Sequence, residues 1–155
     1  MKIYIGADHR GFNLKKKITV FLEKKGFSVE DFGTYKRNPP CDYPLISHDV
    51  ARAVAHSRSD RGILVCMTGL GHAIAANKVP GVRATLCYNK KAAFLSRAHN
   101  NANVLVLGAK FVKQKDLFQI VNTWLKTPFE GGRHLRRIKQ ISKIERQYRT
   151  SGTKG

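Results

Sequence analysis

The sequence predicts an α/β fold, a five-stranded parallel sheet covered by helices on both faces. Three observations predict it. Short apolar runs alternate with longer amphipathic stretches along the whole chain, as strands joined by crossover helices do. The apolar run Gly62-Ile63-Leu64-Val65 passes through a small-residue turn, Cys66-Met67-Thr68-Gly69-Leu70-Gly71, into a helix-like stretch, Ala73-Ile74-Ala75-Ala76-Asn77-Lys78. The 155 residues suffice for one domain with a proper core, and 42% of them are hydrophobic.

The elements follow in order. Residues 2–7 (KIYIGA) form the first strand. In the helix expected over 11–25, positions 14, 18, 21 and 22 share an apolar face, while Lys15–Lys17, Lys24 and Lys25 take the solvated one. Gly26 ends that helix. Strands are expected at 27–32, 61–66, 82–87 and 103–107, and helices at 44–57, 71–78, 89–98 and 113–126. The loop Lys36-Arg37-Asn38-Pro39-Pro40 is irregular. Residues 132–149 read as a basic helix, completing one domain over 1–149, with 150–155 as a flexible tail. Together these make a three-layer, doubly wound, Rossmann-like sheet plus a C-terminal helix. If the strand order is 2-1-3-4-5, the ends of the first and third strands flank the switch-point crevice. Asp8-His9 and Cys66-Met67-Thr68 then converge there.

Composition limits the partners. Twenty-nine Lys and Arg stand against ten Asp and Glu, a formal charge of +19. Such a surface attracts phosphorylated metabolites, nucleic acid or acidic membranes, and charge alone does not choose among them. No apolar run approaches the roughly 20 residues that span a bilayer. The N-terminus does not read as a signal peptide, and three cysteines without a CxxC pair make neither a disulfide framework nor a zinc pattern. The expectation is a cytoplasmic protein.

Familiar phosphate motifs fail. Gly6 to Gly11 has P-loop glycine spacing but continues with Phe12 rather than Lys, and Gly69-Leu70-Gly71 has Ile74 where a dinucleotide fingerprint needs glycine. Cys66, at a strand end ahead of a helix N-terminus, sits where the local field lowers a thiol pKa; Cys41 and Cys87 read as structural. Thr68 caps the turn, binds a developing oxyanion, or both. Asp8 and His9 close a turn or bind hydroxyls and handle protons. His99-Asn100 suits a helix C-terminus and equally a general acid/base. Arg133 and Arg137 share a face at i, i+4, either as a solvated basic surface or as a phosphate clamp. A nucleic-acid role for the basic helix lacks an aromatic stacking platform.

Taken together, the ordered set Gly6-Ala7-Asp8-His9-Arg10-Gly11, Asp42-Tyr43-Pro44, Cys66-x-Thr68-Gly69-x-Gly71 with Ala75-Ala76-Asn77-Lys78, Ser96-Arg97-x-His99-Asn100, Asn103-Val104-Leu105 and Glu130-Gly131-Gly132-Arg133-His134 resembles type B ribose-5-phosphate isomerases. The wider family includes galactose-6-phosphate isomerase subunits. The resemblance implies aldose–ketose isomerisation without metal or organic cofactor, in homodimers or homotetramers whose active site is shared between subunits. It implies Cys66 as the base that moves a proton between C2 and C1. Thr68 and the amides of Met67, Gly69, Leu70 and Gly71 would stabilise the enediolate. His99 would assist ring opening near Asp8. Tyr43 and Asn100 would line the sugar site. His9, Arg133 and Arg137 would hold the phosphate, the arginines being candidates for donation by a neighbouring subunit. Two departures stand out: Met67 replaces a usual glycine, and Lys110 replaces an arginine that helps bind phosphate in many relatives. A pentose phosphate is the favoured substrate, with a hexose 6-phosphate as the alternative.

Overall fold

The computed structural model describes residues 1–151, with side chains described through residue 148. The chain runs β1 (Lys2–Ala7), α1 (Phe12–Lys24), β2 (Ser28–Asp31), α2 (Tyr43–Ala55), β3 (Arg61–Cys66), α3 (Leu70–Ala76), β4 (Ala84–Leu86), α4 (Lys90–Ala98), β5 (Val104–Gly108), α5 (Leu117–Lys126) and α6 (Gly132–Ser151). All strand pairings are parallel. One core layer packs α1, α4 and α5 on the sheet through Ile18, Leu22, Ala93, Leu117, Ile120 and Trp124. The other packs α2 and α3 through Val50, Ala51, Val54 and Ala76. The expected three-layer, doubly wound architecture is therefore present.

The strand order is β2-β1-β3-β5-β4 rather than 2-1-3-4-5. The reason lies in the strands themselves. Val104–Gly108 is buried at every position and needs a neighbour on each side, whereas Ala84–Leu86 has three residues and one buried position, which suits an edge. The exchange leaves β1 beside β3, with Ala7 level with Val65, so the expected crevice survives.

Local signals account for most boundaries. Asn89 Oδ1 accepts a hydrogen bond from Ala92 N at 2.8 Å and caps α4. Pro44 lies in the first turn of α2, where its missing N–H costs nothing. Gly26 takes φ +81° beyond α1, and Phe27 N closes back onto Leu22 O. Helix α5 starts at Leu117, not 113, because Lys113–Asp116 forms a turn closed by Asp116 N on Lys113 O. At the C-terminus α6 runs to Ser151, two residues past the expected bound of 149, and 152–155 lie outside the described residues.

Lys15 departs from its expected solvated position. It is 1% exposed, and its Nζ donates to both Asp31 carboxylate oxygens at 2.6 Å and to Thr34 O at 2.8 Å. A buried ammonium persists only with its charge matched and its donors used. The pair ties α1 to the end of β2. Asp31→Ala is expected to destabilise the fold by about 3 kcal/mol, because it strands the ammonium. The double variant Lys15→Met/Asp31→Ala is expected to recover most of that loss in urea unfolding; equal losses would refute the coupling.

Candidate active site

The carboxyl ends of β1 and β3 converge as expected. Asp8 N donates to Val65 O at 3.2 Å, placing the β1 turn against the end of β3. Asp8 is buried, and its Oδ1 accepts from Arg10 N at 3.0 Å and Gly11 N at 2.8 Å. It therefore does close the turn, and its charge also acts on the Cys66 thiol.

Cys66 is 6% exposed at the last position of β3. Its Sγ accepts from Gly69 N at 2.9 Å. Gly69 takes φ +84°, a conformation that a side chain would strain, so glycine is what lets the turn fold back over the sulfur. Thr68 Oγ1 lies 3.4 Å from Leu70 N, as a turn cap. The thiol pKa, however, is raised rather than lowered. Burial dominates and Asp8 adds to it, while the Gly69 and Thr68 hydrogen bonds oppose both without winning.

Met67 does not require positive φ: among the described residues Asn101 is the one non-glycine with that conformation. The methionine is unstrained, and Arg10 Nη1 lies 3.0 Å from its Sδ. With His9, Arg10, Arg37 and Asn38 it lines a cleft of about 400 Å³ beside the thiol turn. His9 Nδ1 accepts from Cys41 N at 3.4 Å. Lys110 N donates to Met67 O, which places Lys110 on the same rim, exposed.

His99, Asn100, Arg133 and Arg137 lie elsewhere. Cys66 is level with Gly108 at the carboxyl end of β5, whereas His99 caps α4 ahead of Val104 at the other end. The intervening strand spans about 13 Å. Glu130 N donates to Ala98 O, which brings the start of α6, and with it Arg133 and Arg137, to the His99 end. The His99 and His134 rings stack at 4.1 Å, and the Nε2 of each lies 3.7 Å from Glu130 Oε2. Desolvation and the neighbouring His99, Arg133 and Arg137 charges hold His134 below the usual histidine range. The ligand atoms of His99, Glu130 and His134 fall within 4.8 Å of one another, which suits a metal ion in donor type. The two adjacent arginines make the place more suited to an anion.

One chain thus carries two clusters of candidate groups at opposite ends of its strands. A thiol, a hydroxyl and convergent amides occupy one; an imidazole pair and two arginines occupy the other. The sequence profile of the Ribose/Galactose Isomerase family matches residues 3–141. The chain belongs to this family. It is 44% identical over 146 residues to the ribose-5-phosphate isomerase B of Escherichia coli K12, covering 94% of this chain and 97% of that protein. The structure is similar to that of Clostridium thermocellum ribose-5-phosphate isomerase B, with TM-score 0.92 and 51% identity over 96% of this chain and 99% of the other. It is similar also to the Mycoplasma genitalium ribose-5-phosphate isomerase B crystallised with bound ribulose-5-phosphate, with TM-score 0.90 and 46% identity over 94% and 96% of the two chains.

Within this isomerase-family chain, sequence reasoning missed His72. It is 0% exposed behind the thiol turn. Its Nδ1 is 2.6 Å from Ser47 Oγ, its ring meets that of Tyr43 edge-on at 5.7 Å, and its Nε2 makes no well-formed hydrogen bond among the described residues. Tyr43 is exposed at the start of α2, so His72 backs the residue expected to line the sugar site. A histidine inside an apolar helix carries no periodic signal, and only the packing of α2 on α3 brings Ser47 to it. Burial pushes the His72 pKa down to about 4, against the opposing influence of Asp8 and Val65 O. The folded value lies below the unfolded one, so acid favours the unfolded state: stability is intact above pH 6.5 and is lost as pH falls toward 4. His72 is expected to account for about 3 kcal/mol of that loss. The stability difference between wild type and His72→Leu should therefore shrink by this amount from pH 7 to pH 4; a constant difference would refute it.

Proposed function

We propose that the chain interconverts ribose 5-phosphate and ribulose 5-phosphate by proton transfer through an enediolate, in a site assembled from two copies of itself. One observation carries the reading: the thiol turn of an isomerase-family chain lies at one edge of the sheet and the imidazole–arginine cluster at the other. A two-fold arrangement that sets one edge against the opposite edge of a second copy completes two equivalent sites. Exposed apolar side chains on α3 (Leu70, Ile74), α4 (Phe94) and α6 (Leu135, Ile141, Ile144) supply a surface for that contact.

The chemistry follows from the groups. His9 and the second copy's Arg133 and Arg137 hold the phosphate, which fixes the reacting carbons by remote binding. The second copy's His99 moves the proton needed to open the furanose, with Asp8 at the sugar hydroxyls. The Cys66 thiolate removes the proton from C2, and the electron pair flows onto the C1 oxygen. The O2 proton passes to O1, and the thiol returns its proton to C1, leaving the ketose. Thr68 and the turn amides meet the negative charge; a donor of this kind typically lowers such a barrier by about 3 kcal/mol. Tyr43 and the second copy's Asn100 line the sugar. A phosphorylated sugar and unpaired thiols fit a reducing cytoplasm.

The assembly can be tested by complementation. Cys66→Ala and Arg137→Ala homo-oligomers are each expected to lose most activity. Mixing them by refolding is expected to restore about a quarter of wild-type turnover, since half of the resulting dimers carry one intact site. No recovery would contradict a shared site, and full activity in Cys66→Ala would remove the thiol as base.

Met67 bears on substrate length. Its side chain narrows the rim where a sixth carbon would extend, which favours the pentose over a hexose 6-phosphate. Met67→Gly is expected to raise kcat/KM for allose 6-phosphate relative to ribose 5-phosphate by about tenfold, the scale of one or two methylenes of contact. An unchanged ratio would mean that Met67 does not set length.

A further inference from the structure

A second cavity, of about 430 Å³, opens at the amino-terminal edge of the sheet. Its lining includes four arginines from four places in the chain: Arg58 after α2, Arg61 opening β3, Arg83 before β4 and Arg97 in the last turn of α4. Among the described residues, no carboxylate lies within ion-pair distance of any of them. Asp60 also lines the cavity, its Oδ1 accepting from Lys2 N at 2.7 Å, and its single negative charge leaves the four guanidiniums in excess. Glu145 acts on Arg83 only through space, while its carboxylate accepts from Gly81 N.

Three of the guanidiniums are held by neutral partners, while Arg58 is exposed at the rim. Arg61 donates to Trp124 O and Leu125 O, Arg83 to Asn100 O and Asn101 O, and Arg97 to Asn101 Oδ1 and Ala102 O. Arg61 and Arg97 both lie over the Trp124 ring. Carbonyls satisfy N–H groups and fix geometry, but they do not neutralise charge. Arg97 is 6% exposed and its buried Nε has no hydrogen-bond partner among the described residues. Burial, with the Arg61 and Arg83 charges, pushes its pKa down to about 10. Burying like charges together is costly unless something negative offsets them. Capping helix ends would explain one such arginine; it does not explain four around one cavity of ligand size.

We propose that this cavity is a binding site for a small phosphorylated metabolite, its phosphate held by Arg58, Arg61, Arg83 and Arg97. The size of the cavity selects a small molecule over a polymer. The site also has a route to catalysis, and this part rests on the isomerase reading. Arg83 and Arg97 hold the Asn100–Ala102 backbone, the loop that follows His99. An anion that draws either guanidinium inward competes with those carbonyls and shifts the loop that carries His99 and Asn100.

Pyrophosphate is the probe. Calorimetry is done on Arg133→Ala/Arg137→Ala protein, which lacks the phosphate clamp of the proposed active site. One pyrophosphate per chain is expected. Adding Arg58→Glu, at an exposed residue of the rim, or Arg83→Gln is expected to weaken it by at least about tenfold. Lys24→Glu makes the same charge change on exposed α1 and is expected to leave affinity unaltered. Absent binding, or equal weakening by Lys24→Glu and Arg58→Glu, overturns the site, the latter by assigning binding to the general +19 field. In kinetics with ribose 5-phosphate, pyrophosphate is expected to lower kcat of the wild type and only to raise KM of Arg58→Glu. Purely competitive inhibition of both overturns the coupling. Full activity of Arg133→Ala/Arg137→Ala would refute the arginine clamp alone, because Arg58→Glu reads the cavity.

Discussion

The site depends on how closely three backbone segments approach one another at the end of β3. A Cβ on Gly11 would lie 2.1 Å from Val65 O, and one on Gly108 would lie 2.3 Å from Thr68 O. Real carbon atoms do not approach so near, so the start of α1 and the end of β5 clamp the Cys66–Thr68 turn only because both positions lack a side chain. The clamp buries the thiol and aims Gly69 N at it. It also sets Asp8 against the same turn. Neither residue has that geometry without the parallel pairing of β1, β3 and β5.

The clamp has an electrostatic consequence. Burial raises the Cys66 pKa and, behind the turn, lowers that of His72; both changes favour neutral groups. A thiol held protonated is a weak base until something stabilises its anion. In the proposed assembly, cations arrive from a second copy together with the phosphate. In that proposed assembly the thiol becomes a competent base only when substrate and neighbour are in place.

Charge elsewhere is handled by the same logic. Lys15 is buried with Asp31 as its partner, a matched pair that joins two elements. The arginine cavity at the opposite end of the strands has guanidiniums with no ion-paired carboxylate among the described residues. The contrast separates a structural cation from cations arranged around space. It also shows that a formal charge of +19 is not one uniform surface.

The alternation of apolar and amphipathic runs determined the α/β class, the helices and the parallel sheet, because both periodicities are local properties of the chain. The ordered motifs, spread from Gly6 to His134, determined the family and singled out the thiol, hydroxyl and arginine residues as candidates. Strand order was decided by tertiary packing: β4 and β5 differ in burial, and pairing sums over partners distant in sequence. The direction of the Cys66 shift was decided there too, since a helix start is visible in sequence and desolvation is not. Lys15 joined the basic face by spacing, yet its partner sits 16 residues on, across a strand. His72 and the four arginines of the second cavity gave no motif, because the residues that define them come from separate elements. That His99 lies an entire strand length from Cys66 follows from the direction in which α4 crosses the sheet, a property of topology and not of composition.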